Sequence, residues 1–136
     1  MNLKNYFSEK SGIGVLSTAD TEGRVDAAIY ARPHILEDGR LAIIMRERLT
    51  YKNLQENPYA AYLFKEHSPG YQGVRLYLKK VSEDTDPVLI KEMTRRSLTA
   101  EEDLEKGPKF IIYFTVEKVR SLIGSNYTEF VQATAS

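Results

Sequence analysis

The chain has 136 residues, 42% hydrophobic and 28% charged, a length and composition that suit one globular domain able to fold without a disulfide or metal staple. Its 19 basic side chains balance 19 acidic ones, so no long-range field gathers nucleic acid or an anionic membrane, and binding to either is disfavoured as the main function. Cysteine is absent, which excludes thiolate zinc sites, iron–sulfur clusters, thiol nucleophiles and disulfides; with only His34 and His67, no multi-histidine metal site is expected within one chain.

The opening MNLKNYFSEKSG places Leu3, Tyr6 and Phe7 on one stripe of a short helix, which Ser11-Gly12 ends. It lacks the unbroken apolar stretch of a secretion signal, and no window approaches the ~20 apolar residues of a membrane span. The expectation is a soluble, cytoplasmic protein. Residues 12–19 (GIGVLSTA) read as a strand with small residues where something approaches the backbone closely. Asp20-Thr21-Glu22-Gly23 has turn chemistry, and an extended run over 24–36 follows. In the turn Glu37-Asp38-Gly39-Arg40, Asp-Gly supplies the positive-φ position of a hairpin. LAIIM, residues 41–45, then reads as a strand buried on both faces. Three strands joined by two short turns predict an antiparallel meander.

Next, Thr50 is expected to cap a short helix through Asn57, which Pro58 terminates. YAAYLFK (59–65) returns to strand, and HSPGYQG (67–73) is a loop punctuated by Pro69, Gly70 and Gly73. The next strand, 74–81, alternates: Val74, Leu76 and Leu78 share one face, Arg75, Tyr77 and Lys79 the other. Asp86-Pro87 starts a helix that buries Leu89, Ile90 and Met93 and runs to about Leu98, with Arg95-Arg96 as a solvated pair near its end. TAEEDLEKGP (99–108) is an acidic connector. FIIYFTV (110–116) is the last long strand, and 119–123 extends the sheet after a kink. Residues 1–124 make one domain, and 125–136 a small, polar tail. With no strand–helix–parallel-strand rhythm, this order predicts a mainly β protein, a six-stranded antiparallel barrel with about three peripheral helices.

Several residues carry candidate chemistry. At the start of the second helix, unpaired backbone N–H groups and the positive end of the dipole suit an anion. Arg46 and Arg48 offer planar paired donors there and Thr50 a hydroxyl, which makes a phosphate cradle; the other reading of RERLTYK is a solvated turn of alternating charge. Ala27, Ala28 and Ala31 would let a flat ring approach the backbone, or would pack a tight barrel corner. His34 follows Arg32-Pro33 where a strand bends, and a lone histidine is more often a satisfied structural group than a ligand. Tyr30, Tyr62, Tyr71 and Tyr77 can stack on an aromatic ligand, although tyrosines also suit subunit interfaces. No serine–histidine–acid arrangement is signalled.

Two stretches, VDAAIYARPHILEDGRLAIIM (25–45) and RLTYKNLQENPYAAYLF (48–64), span roughly a third of the chain. Their succession, hairpin, buried strand, short helix closing on Asn57-Pro58 and strand, resembles the pyridoxamine 5′-phosphate oxidase-like FMN-binding split-barrel family. The resemblance implies a homodimer with FMN at the subunit interface. The flavin ring would lie along Ile43, Ile44 and Met45 and near Ala28, Ile29 and Tyr30. Arg46, Arg48, Thr50 and Lys52 would hold the phosphate, and the partner subunit would supply the region around Tyr71 to Tyr77. The sequence departs from the family at two places. The family's frequent lysine falls on Thr50 and the arginine before it on Leu49, and the tryptophan- and arginine-containing C-terminus of the true oxidases has no counterpart. The expectation is therefore a flavin-dependent oxidoreductase acting by hydride or electron transfer on a small substrate, not a pyridoxamine phosphate oxidase. Alternatives are a non-enzymatic flavin carrier, or the same barrel holding a deazaflavin or a heme, the last needing His34 or His67 as axial donor.

Overall fold

The computed structural model describes residues 2–94 and 106–124. In chain order the elements are α1 (Leu3–Glu9), β1 (Gly12–Ala19), β2 (Val25–Tyr30), β3 (His34–Ile35), β4 (Leu41–Arg46), α2 (Leu49–Glu56), β5 (Tyr59–Glu66), β6 (Gly73–Asp84), α3 (Pro87–Met93) and β7 (Lys109–Ser121). All strand pairs are antiparallel, in one sheet of order β2-β1-β5-β6-β7-β4-β3. Inward side chains from strands far apart in that order, among them Leu16, Ile35, Ile43, Tyr62, Leu76 and Phe114, meet in one core. A flat sheet would hold these residues apart, so this one curls into an open barrel.

The helices cover what the curl leaves open. The predicted stripe of α1, Leu3, Tyr6 and Phe7, is buried in the barrel end, with the Phe7 and Phe64 rings edge to face at 5.2 Å. The Tyr6 hydroxyl donates to the buried carboxylate of Glu66 at 2.5 Å, and burial and that carboxylate both push the phenol pKa well up. Leu54 of α2 joins the same core. On the outside of β4 and β7, Ala42, Ile111 and Tyr113 form a second, smaller cluster under Leu89, Ile90 and Met93 of α3. Asp86 caps α3 as expected, accepting from the Val88 N–H at 3.0 Å ahead of Pro87.

The sheet has seven strands where six were expected. The run 24–36 breaks at residues 31–33, and its halves go to opposite ends of the sheet: β2 pairs with β1 and β3 pairs with β4. The anticipated meander is thus two separate hairpins. A missing donor and two sets of contacts fix the break. Pro33 has no N–H to give a ladder. The Arg32 guanidinium donates to the Phe7 and Lys10 carbonyls at the end of α1, 2.9 Å each. The Tyr62 hydroxyl is shared between the carbonyls of Tyr30 (3.2 Å) and Ala31 (3.1 Å). It reaches them across Gly14, where an added Cβ would lie 1.9 Å from the Tyr62 oxygen.

Other differences are local. Segments 110–116 and 119–123 form one strand, β7, and the anticipated kink is a bulge: Tyr77 faces Lys118 while Leu78 faces Val116, leaving Glu117 extra. Helix α2 starts at Leu49 with Arg48 at the N-cap position, so Thr50 lies inside the first turn and does not cap it. Helix α3 ends at Met93. Arg95-Arg96, most of the acidic connector and the tail 125–136 lie outside the described residues.

Gly14→Ala puts a methyl group where the Tyr62 hydroxyl passes. It is expected to lower stability by about 1–3 kcal/mol, the usual range for an overpacked core site, read as a drop in the urea midpoint at unchanged slope.

Candidate functional site

The curl leaves a seam. Among the described residues β2 pairs only with β1, and β4, paired with β7 along its length, meets β3 only at Leu41 and Ala42. Between these two strands lies a cleft of about 570 Å³. Backbone donors and acceptors of a strand edge are thereby available on either side of it.

Side-chain alternation gives the cleft two unlike walls. Ile43 and Met45 point into the main core, whereas Ala42, Ile44 and Arg46 point to the α3 side. Register places His34 opposite Ala42 and Lys109 opposite Arg46, on that same outer side. Met93, Thr94 and Lys106 complete this half. The other half consists of Asp26, Ala28 and Tyr30 of β2 together with Arg48, Leu49 and Thr50 at the start of α2.

Charge is unevenly distributed. Among the described residues, Arg32, Arg46, Arg48, Lys106 and Lys109 line the cleft together with one carboxylate, Asp26. The Thr50 hydroxyl is in a residue only 3% exposed and hydrogen-bonds the Tyr30 side chain. Burial pushes the Tyr30 phenol up; the Thr50 hydrogen bond and the Arg48 charge offset only part of that rise. No side chain caps the first turn of α2, so its backbone donors stay available at the cleft.

Outlying contacts hold these walls in place. Arg46 Nη1 donates to the Gly107 carbonyl at 2.6 Å, and His34 Nε2 hydrogen-bonds the Met93 carbonyl at 2.8 Å, tying residues on either side of segment 95–105 to the outer wall. Asn53 of α2 donates to Thr18 Oγ1 at 3.1 Å, both residues buried. On the far flank, Glu83 accepts from Tyr51 (2.7 Å), Gln55 (3.0 Å) and Lys80 (2.7 Å), and the Tyr51 ring stacks on Phe110 at 4.2 Å. Desolvation pushes Glu83 up, but those hydrogen bonds and the Lys80 charge outweigh it and hold the carboxyl below its ordinary value. The hydrogen bond to Glu83 in turn pushes Tyr51 up to about 12.

The cleft brings together eleven of the residues singled out in the sequence: Ala28, Ile29, Tyr30, Ala31, His34, Ile43, Ile44, Met45, Arg46, Arg48 and Thr50. Lys52 is exposed on α2 and does not line the cleft, Tyr71 is 72% exposed in the 67–72 loop, and Tyr77 lies on the outer face of β6 beside Arg120, 5.8 Å from its guanidinium. Tyr62 belongs to the core and the strand break, while His67 sits in an exposed loop away from the cleft. Sequence reading did not single out Lys106, Lys109, Met93 or Thr94 for the site. Lys109 becomes visible only through its register opposite Arg46, which no local pattern announces.

No protein-family model and no curated protein matches the sequence. Solved structures do match. An FMN-binding protein from Syntrophomonas wolfei superposes with a TM-score of 0.69 at 16% identity, over 90% of this chain and 85% of that one. An F420 reductase gives 0.63 at 18%, over 88% and 98%. A candidate pyridoxamine 5′-phosphate oxidase from Lactobacillus delbrueckii gives 0.61 at 17%, over 85% and 88%. The chain has the split-barrel fold of these proteins. Among the described residues of this split barrel, no helix is long and apolar enough to cross a membrane, and no group of three or more His, Asp or Glu is placed to hold a metal ion.

A carboxyl held below its ordinary value stabilises the fold above its unfolded pKa, and that contribution is lost as the pH falls through the folded value. Glu83→Gln is therefore expected to reduce stability at neutral pH and to flatten the acid limb of a stability–pH profile below about pH 4, measured by urea unfolding at a series of pH values.

Proposed function

We propose that this split barrel binds FMN in the seam cleft and acts as a flavin-dependent oxidoreductase. The observation that carries the reading is the meeting, in one cleft, of an uncapped helix start, the Arg48 and Thr50 side chains and two open strand edges. Arg48 and the first-turn N–H groups of α2 would hold the phosphate, with the Thr50 hydroxyl and the Tyr30 phenol beside them. Small side chains at Ala28 and Ala31 leave room for a flat ring against β2, and the edge of β4 along Ile43 to Met45 can address its polar rim. The flavin, when bound, supplies hydride or electron transfer; the chain's own residues bind it, orient it and surround it with a fixed pattern of donors. We take the cytoplasm as its place of work.

The reading includes a homodimer. On the outer face of the sheet Val15 lies opposite both Ile29 and Leu63, and Ser17 opposite both Ala27 and Ala61, with Tyr77 next across the sheet. Ile29 is 70% exposed and Leu63 39%. A contiguous apolar sheet face is costly in water and suits a self-complementary partner. Ile29 also lines the cleft, so a second copy seated on this face would reach the flavin, which is where Tyr71 and Tyr77 of the partner would act.

The isolated protein is expected to carry a flavin absorption spectrum without the Soret band of a heme. Replacing Arg48 and Thr50 together by alanine should weaken FMN binding by tenfold or more, roughly the worth of one lost charge-assisted hydrogen bond, while riboflavin binding changes little. Fluorescence titrations with both flavins check this; equal affinity of wild type and variant for FMN overturns the phosphate assignment.

Placing a charge on the apolar face with Ile29→Asp is expected to shift the protein to monomer in sedimentation equilibrium. A dimer that persists unchanged would move the interface elsewhere.

A further inference from the structure

Asp26 is the one carboxylate lining the cleft among the described residues, and the phosphate cradle does not account for it. Alternation along β2 puts Asp26, Ala28 and Tyr30 on one face, opposite Thr18, Leu16 and Gly14 of β1 in turn, all three of them buried. The carboxylate therefore belongs to the same wall as the small residue that leaves room for a ring. Its nearest candidate partners are engaged elsewhere. Arg24, two residues back, pairs with Asp20 and Glu22, and Asn53 of α2 bonds Thr18. Among the described residues the Asp26 side chain takes part in no salt bridge and no hydrogen bond. It does act on Tyr30. Burial raises that phenol most, the Thr50 hydrogen bond and the Arg48 charge draw it down, and Asp26 pushes it up. One hydroxyl thus sits in the field of both Arg48 and Asp26, on the α2 side of the cleft.

A carboxylate beside an anion cradle repels the anion that Arg48 and the first-turn N–H groups of α2 attract. A cationic ligand is no better a partner, because those same positive groups repel it. Both signs of charge are served by a ligand that carries an anion at one end and hydroxyl donors next to it. We propose that Asp26 accepts hydrogen bonds from the ribityl hydroxyls of the flavin and makes the cleft select the polyol chain, not the isoalloxazine ring alone. The inference rests on the flavin reading, and adds to it a residue that neither the phosphate nor the ring assignment uses. Hydrogen bonds to an ionised acceptor are about twice as strong as neutral ones, so one carboxylate can carry the preference. A flavin without the chain would bury that carboxylate unpaired, and a site built to bond a hydroxyl discriminates strongly against an analogue that lacks it.

Three flavins separate the contacts: lumiflavin has the ring without the ribityl chain, riboflavin adds the chain, and FMN adds the phosphate. Each is titrated by fluorescence into wild type, Asp26→Ala and Asp26→Asn. Wild type is expected to bind riboflavin about tenfold or more tightly than lumiflavin. Asp26→Ala should lower riboflavin affinity by about tenfold and leave lumiflavin within about twofold, which also shows that the cleft is intact. Asp26→Asn, whose amide oxygen still accepts a hydrogen bond, should retain part of the preference for riboflavin. The same variant no longer repels the phosphate, so FMN should lose less affinity than riboflavin does, with the gap narrowing as salt rises. Riboflavin affinity unchanged in Asp26→Ala overturns the proposal. An equal loss for lumiflavin and riboflavin also overturns it, because the carboxylate then serves the ring or the shape of the cleft. A wild-type protein that binds neither riboflavin nor FMN is a separate result and overturns the flavin reading itself.

Discussion

The Tyr62 hydroxyl, passing over Gly14 to the carbonyls of Tyr30 and Ala31, holds the point on which this barrel turns. Residues 24–36 could have run as one long strand between β1 and β4, closing the sheet. They do not, because the chain leaves the ladder after Tyr30 and rejoins it at His34 on the opposite end of the sheet. Breaking a ladder strands carbonyls near the core, at about 1–3 kcal/mol for each left unsatisfied. The phenol satisfies two of them from inside, and Arg32 satisfies the last carbonyls of α1 at the same corner. Gly14 is the condition for this, since any side chain there would occupy the phenol's path.

The seam follows from that corner. A barrel that closed completely would have no edges, whereas this one ends in two, and an open edge invites unwanted strand pairing. Here the edges of β2 and β4 look onto a cleft whose ends are guarded by helix termini, α2 on one side and α3 on the other. Helix α2 is fastened from outside the site and α3 at its rim. Asn53 and Glu83 anchor α2 to β1 and β6, and the His34 contact to Met93 anchors α3 to the edge strand. The walls of the cleft on the α2 side are thus held by groups that do not line it.

How much of this was legible depends on the range of the interaction. The alternation Val74, Leu76, Leu78, the Asp38-Gly39 turn and the Asp86-Pro87 helix start are local rules, and each appears in the fold as read. The break at residues 31–33 was not legible, although Pro33 hinted at a bend, because its cause is a tyrosine on β5 reaching across β1. The core side of the cleft could be named from the order of motifs between residues 25 and 64. Its cationic rim could not, because Lys109 comes opposite Arg46 only through the β4–β7 register and Lys106 comes near it only through the turn that Arg46 holds at Gly107. Thr50 illustrates a third kind of error. Its residue type suited a cap, but the cap position falls two residues earlier, at Arg48, and the hydroxyl turns inward to Tyr30.

The start of α2 is where stability and the proposed chemistry pull in opposite directions. Arginine is a poor N-cap, and a helix that begins with it forgoes about 0.5–2 kcal/mol relative to serine or aspartate. Arg48 also sets a positive charge against the positive end of the helix dipole, and no acidic residue in the first turn compensates. Both deficits have the same remedy, an anion seated on the first-turn N–H groups, which would act as the missing cap and neutralise the charge together. A sequence optimised only for folding would place serine or aspartate at position 48. That arginine stands there, at the rim of the cleft, is the strongest physical reason for assigning the phosphate to this helix and not to the lysines across the seam.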